Sequence, residues 1–171
     1  MTLTLTDLEF PLESLRRFKQ PGAVVLLTRD IIEPDELRSS IWDRIAAPGG
    51  ALAHIVFEIM APMDLAFRSG AEFEAAVLAD YRNEHRLGAD CYFSAGEAIG
   101  YSSARDTFGV LAVPERLLGE GELASWDRSF ADHHNDVGVG FGEAGETYLR
   151  ELLADVDTPR RDSLVAALRL D

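Results

Sequence analysis

The stretch AVVLLTRDIIEPDELRSSIWDRIAAPGGALAHIVFEIM, residues 23–60, decides how the fold of this chain is read. It opens with Ala23 to Thr28, a continuous apolar run rich in β-formers, the pattern of a strand covered on both faces. Pro34 stands at the first position of the helix that follows, with Glu33, Asp35 and Glu36 around the positive end of its dipole. Leu37, Ile41 and Ile45 recur at four-residue spacing with Trp42 beside them, so a helix over 34–46 turns one stripe to a core. Pro48-Gly49-Gly50 ends it, and 51–60 supply a second largely apolar strand. Strand, helix and strand with short connections predict a βαβ unit whose strands pair in parallel through a right-handed crossover.

Downstream, Ser69-Gly70-Ala71-Glu72 is a capping box, and it predicts a helix over 70–86 that buries Phe73, Val77 and Tyr81. Gly88 suits a left-handed stop. Residues 90–94 and 107–113 read as strands, the second closed by Pro114, and the glycine- and serine-bearing segment between them reads as loop. Residues 123–130 fit a short helix or a strand. Asp132 to Asp136 reads as an acidic turn leading into a glycine-punctured strand over 137–141. A helix over 143–155 carries Tyr148, Leu149, Leu152 and Leu153, and another over 159–169 starts from Thr158-Pro159 and carries Leu164, Val165 and Leu168. Upstream, 1–10 alternates like an edge strand, and 12–18 allows a helical turn with Leu12, Leu15 and Phe18 on one side. The expected fold is a single α/β domain over 1–171, a mixed sheet of about five strands with helices packed on it.

With 171 residues the chain is long enough to bury a core without covalent staples. No apolar run approaches the roughly 20 residues that span a bilayer, and the start lacks a basic segment followed by a long apolar one, so a cytoplasmic protein is expected. One cysteine, Cys91, leaves neither a disulfide framework nor a multi-thiolate metal site within one chain. The formal charge is −14, and Glu115 to Asp157 holds eleven acids against three arginines, which is −8 of it. Such a field repels nucleic acid and anionic membrane and attracts a basic protein.

Nucleotide chemistry finds no support. The loop after the first strand has acids in place of phosphate-cradling glycines, and Gly138-x-Gly140-x-Gly142 lacks the dinucleotide spacing. Asp30 and Asp64, each near a strand end, could share a hard cation, although acids there more often start turns. Asp132-His133-His134 matches the short signature of the DHH phosphoesterases, whose further aspartate motifs have no counterpart here. A zinc site from His133, His134 and Asp136 lacks a spaced partner to complete a tetrahedron. Acidic neighbours are expected to raise the pKa values of both histidines. No metal and no cofactor is expected.

Two enzymatic or ligand-binding alternatives follow from other residues. Asp90-Cys91, then Gly121-Glu122-Leu123, then His134 is similar in order to the NlpC-type cysteine peptidases, and the resemblance implies a Cys91–His134 thiol hydrolase. Tyr92-Phe93 replaces the small pair that follows the cysteine in that family. Alternatively, a pocket lined by Phe57, Phe93 and Trp126 would mark a small-molecule binding or biosynthetic accessory protein. The expectation placed first is a non-enzymatic interaction protein that meets a basic partner through Asp127, Asp132, His133, Asp136, Glu143 and Glu146. Small acidic immunity proteins, antitoxins and adaptors share its size and charge. The C-terminal helices offer a route to a homo-oligomer.

Overall fold

A computed structural model describes residues 21–28, 36–47, 49–57, 61–83, 91–103, 108–137 and 141–170. Its strands are β1 (Ala23–Thr28), β2 (Ala51–Phe57), β3 (Met63–Phe67), β4 (Cys91–Ala95), β5 (Ala98–Ser103) and β6 (Phe108–Pro114). Its helices are α1 (Glu36–Ala46), α2 (Gly70–Asn83), α3 (Glu122–Val137), α4 (Gly142–Leu153) and α5 (Thr158–Leu168), with a 3-10 turn at Glu115–Leu117. The fold is therefore mixed α/β, with six strands among the described residues where about five were expected. The edge strand and helical turn expected over 1–18 lie outside the described residues.

The strand order is β1-β6-β5-β4-β2-β3, and every neighbouring pair is antiparallel. This corrects the βαβ expectation and the mixed sheet with it. β1 and β2 run in the same direction, but β6, β5 and β4 lie between them. The chain leaves β1 through α1, makes the β2–β3 hairpin, returns through α2, and fills the gap with the meander β4-β5-β6. The apolar runs that resembled parallel strands have another cause. Helices cover both faces of the sheet, so a central antiparallel strand such as β6 is buried almost throughout.

Alternation along the strands divides the core in two. Leu26, Phe93, Ala95, Leu111 and Val113 meet Ile41 and Trp42 of α1 and Phe73 and Val77 of α2. Leu27, Tyr92, Tyr101, Val110 and Ala112 meet Phe130 of α3, Tyr148, Leu149, Leu152 and Leu153 of α4, and Leu164 and Leu168 of α5. Helix α3 packs along β1 and belongs to both layers, because Trp126 joins the first cluster and Phe130 the second. It thus straddles the β1 edge of the sheet.

Close approaches fix two of these contacts. A Cβ on Gly70 would lie 2.1 Å from the Ser39 carbonyl oxygen, so only glycine lets the start of α2 meet α1. A Cβ on Gly100 would lie 2.0 Å from the Phe93 ring, which covers it across the β4–β5 pair. The Ser69 cap of α2 forms, with Glu72 N–H donating to Ser69 Oγ at 3.1 Å, while Glu72 Oε2 reaches one residue past the usual partner of a capping box and accepts from Arg68 N–H at 2.7 Å. Asp43 of α1 adds a third cap by accepting from Gly70 N–H at 2.7 Å. A buried ion pair joins the same two helices. Arg38 Nε lies 3.5 Å from Glu74 Oε1, Arg38 Nη1 donates to Thr28 Oγ1 at 3.2 Å, and Ser39 Oγ donates to Glu74 Oε2 at 2.8 Å.

Candidate interaction face on the C-terminal helices

The segment expected to be an acidic turn is helical. Residues 132–136 lie within the last turns of α3, and 123–130 form its first half. The strand expected over 137–141 does not form at its described ends, since Val137 closes α3 and Phe141 caps α4. Leu123, Trp126, Phe130 and His134 occupy one stripe at helical spacing, with Asp127 beside it.

The acids of 115–157 fall into two groups. Some are committed to holding the fold. Asp127 receives a two-pronged contact from Arg160, Nε to Oδ2 at 2.8 Å and Nη2 to Oδ1 at 2.9 Å. The same Nη2 donates to the Val25 carbonyl at 2.8 Å, so α5 and α3 together cover the outer edge of β1. Glu122 accepts from Arg44 at 2.7 Å and from Gly119 N–H at 2.7 Å, tying α3 to α1. Burial opposes ionisation of Glu122, but the Arg44 hydrogen bond, the Gly119 N–H and the Arg44 charge outweigh it and hold the carboxyl below its ordinary range. Asp157 is the N-cap of α5 and accepts from Arg160 N–H at 3.2 Å. The cap is thus one residue earlier than expected from Thr158-Pro159.

Others have no such task. Asp132, Asp136 and Glu143 are exposed, and their carboxylates make no hydrogen bond or ion pair among the described residues. Glu146 is half-buried and faces His134 closely enough to favour its charge. Asp136 stands in the last turn of α3, where the helix dipole is negative, and Asp132 stands one turn earlier on the same side.

His133 and His134 are both partly buried. The His134 ring stacks on Phe141 with centroids 4.0 Å apart and planes 8° from parallel. Its pKa lies below 6.5, chiefly because burial disfavours the cation, with His133 and Arg169 adding to the effect against Glu146. The expected upward shift is corrected here for His134: its desolvation outweighs the acidic neighbour.

Cys91 and His134 are not brought together. Cys91 is 4 % exposed and faces the core under α1 and α2, whereas Phe141, on which His134 stacks, belongs to the core on the other side of the sheet. Phe93 and Trp126 are packed in that same α1–α2 core, with Phe57 partly buried against it. Asp64 pairs across strands with His54, Nδ1 to Oδ1 at 2.5 Å, and Asp30 lies outside the described residues. Among the described residues no group of three or more His, Cys, Asp or Glu side chains could hold a metal ion, and no helix is long and apolar enough to cross a membrane.

Two features of this region lay beyond the sequence. A groove of about 730 Å³ runs between α3 and α5. Asn135 Nδ2 spans it with a 3.2 Å hydrogen bond to the Ala167 carbonyl. Beneath α4, the Tyr148 hydroxyl is buried with no hydrogen-bond partner among the described residues. Its pKa is raised well above 10.0 by burial and then by Tyr92 and Tyr101. The groove needs two helices that the chain brings together only on folding, and periodicity within either one carries no sign of it.

No protein-family model, curated protein or solved structure matches this chain.

Proposed function

We propose that this chain is a non-enzymatic interaction protein that binds a basic protein partner through the exposed acids of α3 and α4. The observation that carries the reading is the placement of Asp132 and Asp136. Both sit toward the C-terminal end of α3, where a carboxylate opposes the helix dipole, and four residues apart, where like charges repel. Neither makes an ion pair among the described residues; Arg128, four residues before Asp132, offsets part of the cost there, while Asp136 has no such neighbour one turn earlier. A cationic surface docked on this face would relieve both repulsions at once, and Glu143 extends the same sign of charge onto α4.

Asp127, first counted among the binding residues, acts instead through Arg160 to seal the β1 edge. His133 and Glu146 flank the face. The experiment is affinity capture of partners by the wild-type chain and by the Asp132→Asn, Asp136→Asn, Glu143→Gln triple variant. A basic partner retained by the wild type and lost by the variant supports the reading. Equal recovery by both proteins overturns it.

A further inference from the structure

We propose that the groove between α3 and α5 is the docking site for a cationic, amphipathic peptide segment; this rests on the reading above that the partner is basic. The groove, at about 730 Å³, has room for several side chains and is far larger than an ion requires. Its buried and partly buried apolar lining is Ala131, Leu164 and Ala167, small or branched groups that let another backbone approach and give apolar side chains a seat.

The polar groups on the walls match a peptide of that kind. Asp132 on the α3 wall and Asp157 on the α5 side are both exposed and line the groove; Asp157 uses Oδ2 to cap α5 and keeps its charge. Asp127 is already neutralised by Arg160, so these two carboxylates face a single further cation, Arg128. Arg160 also lines the groove, and its Nη1 donates to nothing among the described residues while Nε and Nη2 are engaged. Carboxylates that take lysine or arginine, a guanidinium donor suited to a backbone carbonyl, and an apolar floor are together complementary to a polypeptide.

The test uses the full chain and a fluorescein-labelled peptide of about twelve residues with leucines at helical spacing between lysines, followed by fluorescence anisotropy. A control peptide carries serine at each leucine and has the same charge. Two variants fill the groove from exposed positions on opposite walls, Ala124→Phe and Ser163→Trp. The leucine peptide should bind at least about tenfold more tightly than the serine peptide, the effect of seating one leucine. That advantage should vanish in both filled variants, while the weak charge-driven binding of both peptides remains.

A leucine advantage that survives both fillings overturns the groove, and so does equal affinity for the two peptides. Salt-sensitive binding of both would still leave the acidic face standing. Failure of either peptide to bind at low salt would count against both ideas together. Self-association of the chain in sedimentation, abolished by Ala124→Phe, would give the groove to a second copy and likewise overturn the proposal.

Discussion

Replacing Asp132 and Asp136 together by asparagine should stabilise this protein, although both carboxylates are removed from an exposed helix surface. Asparagine is close to aspartate in volume and in helix propensity, so charge is the main thing changed. Asp136 lies in the last turn of α3, where an unfavourable dipole interaction costs about 0.3–1 kcal/mol. The repulsion between side chains four residues apart adds about 0.2–0.5 kcal/mol. Loss of the attraction between Asp132 and Arg128, four residues earlier, takes back about 0.2–0.5 kcal/mol, so the double variant should gain up to about 1 kcal/mol. For a chain of 171 residues this corresponds to a rise of up to roughly 4 °C in Tm, at about 2–4 °C per kcal/mol. The assay is thermal unfolding at low salt, repeated near 1 M salt, where a Debye length of about 3 Å should erase most of the gain. A variant less stable than the wild type at low salt would refute this prediction. It would mean that the fold itself makes use of these carboxylates, and the case for a partner would lose its main support.

Other consequences concern the contacts that hold the face in place. Arg160→Ala removes the cover from the Val25 carbonyl and strands the mostly buried Asp127, and should cost about 2–4 kcal/mol in chemical denaturation. A loss below about 0.5 kcal/mol would show the edge seal to be incidental. Glu74→Ala removes the carboxylate beside the buried Arg38 guanidinium and the acceptor of Ser39 Oγ, and should cost at least about 1–3 kcal/mol, measured the same way. Gly70→Ala drives a methyl into the Ser39 backbone and should destabilise by about 1–3 kcal/mol, whereas an unchanged Tm would contradict the close α1–α2 approach. The His134 pKa is depressed in the folded state, so the unfolded chain takes the proton first as pH falls below 6.5. Stability is thus full above 6.5 and declines as pH drops through the lower folded value, and His134→Phe, which keeps a ring over Phe141, should flatten that decline.

Local signals in the chain were legible where one element supplies them. The Ser69–Glu72 box announces α2, and the apolar spacing of Tyr148 to Leu153 announces α4, because caps and stripes involve residues a few positions apart. Helix α3 was obscured by its own polar residues. Asp127 and His134 interrupt or end its apolar stripe, and they are accommodated there only by Arg160 of α5 and Phe141 at the start of α4. β5 resembled a loop because Gly100 sits inside it, and the reason for that glycine is a ring on the neighbouring strand. The largest departure was topological. Hydrophobic length and direction identify β1 and β2 as co-directional strands, but nothing local to residues 23–60 can reveal that a later meander occupies the positions between them. The candidate face was legible as charge. Which of its acids are engaged internally and which remain exposed depends on contacts such as Arg160–Asp127, made between residues 33 apart.

The most direct measurement is affinity capture with the wild-type chain and the Asp132→Asn, Asp136→Asn, Glu143→Gln variant, at roughly 50 mM and roughly 500 mM salt, with captured proteins identified by mass spectrometry. A basic partner should be recovered by the wild type at low salt, released progressively as salt rises, and not recovered by the variant. A partner held equally by both proteins, or held independently of salt, would contradict the proposed function.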